Sequence, residues 1–167
     1  MEMQVQSHYW TRRAPDWQAA VVAGLAAAAV LMVLELVWSA SVGDAGPWNV
    51  SRKIAAILMG PEVLQSSAFG VAPVALALVT HYALGVFSGV VIGIIIAGFH
   101  WETSVGMMLA IGAAVGSVIY AVNFHGLAQF YSWFVELRGW DTFIGHLIFG
   151  MSAALIYWKL SRRVSES

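Results

Sequence analysis

The chain has 167 residues, 60% of them hydrophobic and 10% charged, with a mean hydropathy of +0.77. A soluble domain carries about 25% charged residues, so this composition is suited to lipid. A net charge of −1 without a basic stripe argues against a nucleic-acid binder, and the absence of cysteine excludes disulfides, thiolate metal sites, iron–sulfur clusters and thiol catalysis.

Crossing a bilayer takes roughly 20 apolar residues per helix, with about 17 as the lower limit. Four stretches qualify. The first is predicted over about Trp17 to Val42, with Glu35 its only formal charge. Ser39-Ala40-Ser41 resembles a signal-peptide cleavage site, but the apolar run is about twice the usual h-region and contains Glu35, so the helix is expected to be retained. In the first loop, Ile54, Ile57 and Leu58 recur at helical spacing after Arg52-Lys53, until Gly60-Pro61 breaks the run. This pattern predicts a short interfacial helix with Arg52 and Lys53 on lipid headgroups.

The second span, about Val71 to Gly98, has no formal charge and contains His81. The third, about Thr103 to Phe124, is polar chiefly at Asn123, and Leu127 to Val135 beyond it has the character of another interfacial segment. The fourth and shortest, about Thr142 to Trp158, contains His146. Trp17, Trp38, Trp101, Trp140 and Trp158 stand at span ends, as in an aromatic belt. Arg12, Arg13, Lys159, Arg162 and Arg163 flank the termini, against Arg52, Lys53 and Arg138 in the first and third loops. The positive-inside rule therefore places both termini in the cytoplasm.

The spans are related in pairs. The second reads His81-x3-Gly85-x3-Gly89-x3-Gly93 and the fourth His146-x3-Gly150-x3-Ala154. Gly24 precedes Glu35 by the same eleven residues that separate Gly112 from Asn123; this alignment sets Ala28 opposite Gly116 and Val37 opposite His125. Two copies of one helical hairpin, related by an axis along the membrane normal, are expected. Residues four apart share a helical stripe, and small-residue stripes are where membrane helices approach closely. Gly85, Gly89, Gly93, Gly112, Gly116 and Gly150 are thus expected at helix contacts, with the polar groups turned toward other helices. The expected fold is all-α: a single transmembrane domain over residues 1–167, built as a four-helix bundle of two duplicated hairpins, with short interfacial helices in loops one and three.

At about 1.5 Å per residue, Glu35 would lie roughly 10 Å inside the outer end of its helix, His81 roughly 15 Å and His146 roughly 6 Å below theirs. Asn123 and His125 sit at the outer end of the third span. The inner half has no comparable groups. One polar layer near the outer face is expected, and ionisable groups in hydrocarbon point to function.

Several readings fit this layer. Glu35, His81, His125 and His146 offer four ligands from four helices for zinc, copper or iron, with Asn123 in support, and His81 and His146 could hold a b-type haem between them. Alternatively the layer is hydrogen-bonded glue, an ionised Glu35 pairing with a protonated histidine, in an accessory subunit of a larger membrane complex or a homo-oligomer. Proton or solute conduction would need polar groups through the inner half, which the sequence lacks. Ser66, Ser67, Ser88, Ser104 and Ser132 carry no local pattern of an activated nucleophile, so a non-enzymatic role is expected. Met107 and Met108 are read as core or lipid-facing residues, and His8 and His100 as surface histidines.

The segments THYALGVFSGVVIG and GHLIFGMSAALIY, each with a histidine at its second position followed by small residues every four positions, resemble small four-helix bacterial inner-membrane proteins of the YagU-like kind. The resemblance implies the four-helix fold, an inner-membrane location and a loose association with acid tolerance. It carries over no catalytic residue.

Overall fold

Asp16, just after Pro15, sets the first helix: its carboxylate accepts from the Ala19 N–H at 2.9 Å, a side-chain cap on an otherwise orphaned donor. The helix so begun, α1 (Trp17–Ser41), opens a chain whose regular elements are all helical among the residues that the computed structural model describes, 14–41, 46, 48–66, 68–99 and 104–165. His8, Arg12, Arg13, Ser67, His100 and Trp101 lie outside the described residues.

A short helix, α2 (Asn49–Met59), stops at Gly60, whose φ of +91° favours glycine, and Pro61 then opens a 3-10 turn (Pro61–Gln65). Next come α3 (Val71–Phe99) and α4 (Val105–Ala121), the latter capped by Ser104 Oγ accepting from the Met107 N–H at 3.3 Å. The chain leaves α4 through a π-turn (Val122–Gly126) and two 3-10 turns (Leu127–Gln129 and Ser132–Leu137), and ends in α5 (Trp140–Ser165). α5 outruns its predicted span at both ends, because hydropathy registers only the lipid-soluble part of a helix and Lys159 to Arg163 continue it as polar turns.

Among the described residues four helices are long and apolar enough to cross a membrane, so the chain is an integral membrane protein. α1 shows why. Its buried stripe is Ala19, Ala20, Ala23, Gly24, Ala27, Ala28 and Leu31, yet the opposite face exposes Val22, Val30, Val33 and Leu36. A helix apolar all round needs lipid on the side that protein does not cover.

The helices pack in the order α3, α1, α5, α4; α3 and α4 barely meet. Two seams are tight enough to bring backbones together. At the α1–α3 seam a Cβ on Gly24 would strike the Gly85 carbonyl, and one on Gly89 would strike the main chain of Ala20 and Gly24. At the α4–α5 seam, Gly112 and Gly150 face each other's main chain, and Gly116 lies against the His146 carbonyl. Gly93 instead meets the side chains of Tyr157 and Ala20. Such contacts hold helices together where lipid supplies no hydrophobic drive.

Packing differs between the two ends. Where α1 begins and α5 finishes, Ile92, Ile96, Met108 and Tyr157 are fully buried in an apolar core, and the Tyr157 hydroxyl accepts from the Asp16 N–H at 3.3 Å. At the opposite, loop end, Phe124, Ala128 and Phe134 form a smaller cluster with Ile57 of α2 against it. There α2 is strapped to the 3-10 segment: Lys53 Nζ donates to Glu136 at 2.7 Å, and Trp133 Nε1 donates to the Lys53 carbonyl at 3.0 Å. Arg138 donates to the Phe124 carbonyl.

This strap corrects the expected role of the basic pair. Arg52 and Lys53 are 7% and 6% exposed, turned into the protein, while Leu58 and Met59 face outward. An acidic residue on the opposing segment provides Lys53 with the counter-charge that headgroups were expected to provide. Glu136 itself is 70% exposed, so Glu136→Gln is expected to lower stability by less than about 1 kcal/mol. The deficit should shrink in high salt. Melting of both proteins at two ionic strengths would check this; a salt-independent loss would point to packing instead.

Candidate functional site

Because α3 and α4 do not close on each other, the loop end contains a chamber of about 780 Å³. Small-molecule sites run from roughly 300 to 1,000 Å³. The walls are mostly aliphatic and aromatic, supplied by all four long helices, α2 and the 3-10 segment.

Polar groups reach it from separate elements: Glu35 from α1, His81 and Ser88 from α3, Asn123 from the π-turn, and Asp141, Thr142 and His146 from α5. Glu35 follows Ala28 and Leu31 along one stripe of α1. Ser88 stands two turns beyond His81, a spacing that could have placed it in the layer from sequence. Trp38, Glu136, Trp140 and Asp141 also line the chamber and were not anticipated there. For Trp38, three residues beyond Glu35, the spacing was the available signal.

Both histidines are held by the main chain. His81 Nε2 donates across the α1–α3 seam to the Ala28 carbonyl at 2.9 Å. His146 Nδ1 donates back one turn to the Thr142 carbonyl at 2.8 Å, its ring edge-on to Phe124 with centroids 5.3 Å apart and 6.0 Å from Tyr120. The remaining ring nitrogens are His81 Nδ1 and His146 Nε2.

Glu35 and Asn123 are different. No described residue forms a hydrogen bond or ion pair with the Glu35 carboxyl or the Asn123 amide. Among the described residues every sealed side-chain nitrogen or oxygen has a partner, so these two head groups are left to the open volume of the chamber.

His125 stands apart from the expected layer. It is exposed, does not line the chamber, and rests with its ring 5.8 Å from Tyr120. The cause is the π-turn: one extra residue in the turn shifts the facing of the residues beyond it, which a 3.6-residue period does not anticipate. Asn123, two residues earlier, is the one that enters the chamber.

Among the described residues no three His, Asp or Glu side chains come together as a metal-ligating group. Of the four ligands expected for zinc, copper or iron, Glu35, His81 and His146 line the chamber and His125 does not. Haem ligation through both Nε2 atoms would require His81 to release the Ala28 carbonyl. What the arrangement offers is a half-open apolar chamber with an acid, an amide and two imidazoles in its wall. No family model, curated protein or solved structure matches the chain. The reading of the site therefore rests on its own chemistry.

Proposed function

We propose that this chain is a non-enzymatic membrane protein that holds a small amphiphilic molecule in the loop-end chamber. The observation that carries the reading is the pair of unpartnered head groups, Glu35 and Asn123, in a half-open apolar chamber of ligand size. Intramembrane polar groups are costly and persist where they have a partner; here that partner is the bound molecule. Charge distribution around the spans favours cytoplasmic termini and a chamber near the outer face of a bacterial inner membrane. The YagU-like resemblance agrees with this location.

The free Glu35 carboxyl also weighs against glue within the chain, which would need it paired with a histidine, whereas His81 and His146 are bonded to main-chain carbonyls. Conduction fares no better: beyond the chamber the interior continues as the apolar core of Ile92, Ile96, Met108 and Tyr157.

Occupancy is testable with the neutral fluorophore N-phenyl-1-naphthylamine, which should accept energy from Trp38 and Trp140 in the chamber wall. Saturable energy transfer is expected in maltoside micelles. Ser88→Phe, which fills chamber space, should weaken it at least about tenfold without altering the melting temperature. A linear, non-saturating signal in the unmodified protein would overturn the proposal.

A further inference from the structure

The charges around the chamber are one-sided. Among the described lining residues, Glu35, Glu136 and Asp141 are acidic and none is Lys or Arg. Two of the acids are accounted for. Glu136 accepts from Lys53 Nζ, and Asp141 lies in the first turn of α5, where the helix N-terminus favours negative charge. Glu35 has no such compensation and sits deepest along its helix from the loop end.

Aromatic faces accompany it. Trp38 stands three residues from Glu35, which puts the two on neighbouring positions of one helix face, and Trp140 lies at the rim, 80% exposed. An aromatic face attracts an ammonium group, most strongly where water is scarce. The remaining wall, Leu31, Leu34, Leu84 and Ile148 among others, is apolar and suits a hydrocarbon body.

Resting on the chamber reading above, we infer that the ligand is an amphiphilic organic cation, an ammonium head on an apolar body, with the head paired to Glu35 beside Trp38. The head supplies the counter-charge that the described residues do not. The tail occupies the aliphatic wall and leaves through the side where α3 and α4 fail to close. His81 and His146 are fixed by main-chain carbonyls and shape the enclosure without competing for the carboxylate.

The experiment is displacement of N-phenyl-1-naphthylamine from the full-length protein in maltoside micelles, at mildly alkaline pH where carboxyls are ionised. Dodecyltrimethylammonium and dodecanol serve as competitors matched in chain length. The cation should displace the probe at about tenfold lower concentration than the alcohol, the effect of one ion pair formed beside an aromatic face where water is scarce. Glu35→Gln should erase that preference and leave dodecanol unchanged. Trp38→Leu, which keeps an apolar wall but removes the ring face, should weaken the cation more than the alcohol, and it tests the inference even if Glu35→Gln misfolds. Phosphatidylethanolamine competing with the cation would identify a lipid amine as the source, and failure to compete would identify a free amphiphilic amine. Equal displacement by cation and alcohol in the unmodified protein would overturn the cation inference while leaving the chamber reading intact. Saturable probe binding that neither compound displaces would also overturn it, whereas no saturable probe binding at all would remove both.

Discussion

Gly150→Val is expected to lower the stability of the protein by about 3 kcal/mol, the upper part of the usual range for overpacking. The reason is the identity of the atoms in the way. A Cβ at position 150 meets the Gly112 carbonyl oxygen and the Gly116 nitrogen. Side chains relieve a clash by changing rotamer, but main chain at a helix crossing moves only if the helices part. Separating α4 from α5 also withdraws the main-chain neighbour of His146 and loosens that side of the chamber. Gly126→Val is the matched control, since nothing lies within 4 Å of a Cβ there and its φ is −83°. Thermal unfolding in maltoside, followed by intrinsic fluorescence, should show a large drop for the first variant and little change for the second. Equal melting would mean that the seam yields more easily than its geometry implies.

Tyr157→Ala is the second large effect. Tyr157 is 1% exposed, lies against Gly93 of α3 and links α5 to the start of α1 through Asp16. In water such a truncation costs both a transfer and a cavity contribution. Lipid is as apolar as the interior, so the transfer part largely falls away and the cavity part remains. Removing roughly 100 Å³ at about 24 cal/mol per Å³ gives about 2.5 kcal/mol. Tyr157→Phe keeps the ring and loses only the hydroxyl, for about 1 kcal/mol. Melting temperatures should therefore order unmodified protein, Phe variant, Ala variant. A Phe variant as unstable as the Ala variant would transfer the importance from packing to the hydroxyl.

The membrane helices were legible because lipid leaves a coarse mark: long apolar runs interrupted by single polar residues. Facing was legible where the α-helical period holds without interruption. Glu35 beyond Ala28 and Leu31, and His81 one turn before Gly85, both turn toward neighbouring helices and line the chamber. His125 was not legible, because the period breaks at Val122 and sequence gives no notice of a π-turn. Nor was the inward turn of Arg52 and Lys53, since an amphipathic helix has two faces and the partner that chooses between them, Glu136, is more than eighty residues away. The chamber itself results from α3 and α4 staying apart, a property of how pairs of helices seat on each other and not of any one helix.

The predominance of alanine and glycine on the buried stripe of α1 has an entropic consequence. Of its eight buried residues only Leu31 and Ser39 have side-chain rotamers to lose. Ordering a leucine costs roughly 0.5–1 kcal/mol of rotamer freedom and ordering an alanine essentially none. In lipid, where apolar contact is no reward in itself, the central helix can be held between two neighbours by dispersion and close backbone approach with little motion given up in exchange. Bulkier residues on that stripe would add contact area and freezing cost together, so small side chains are what let α1 act as the common neighbour of α3 and α5.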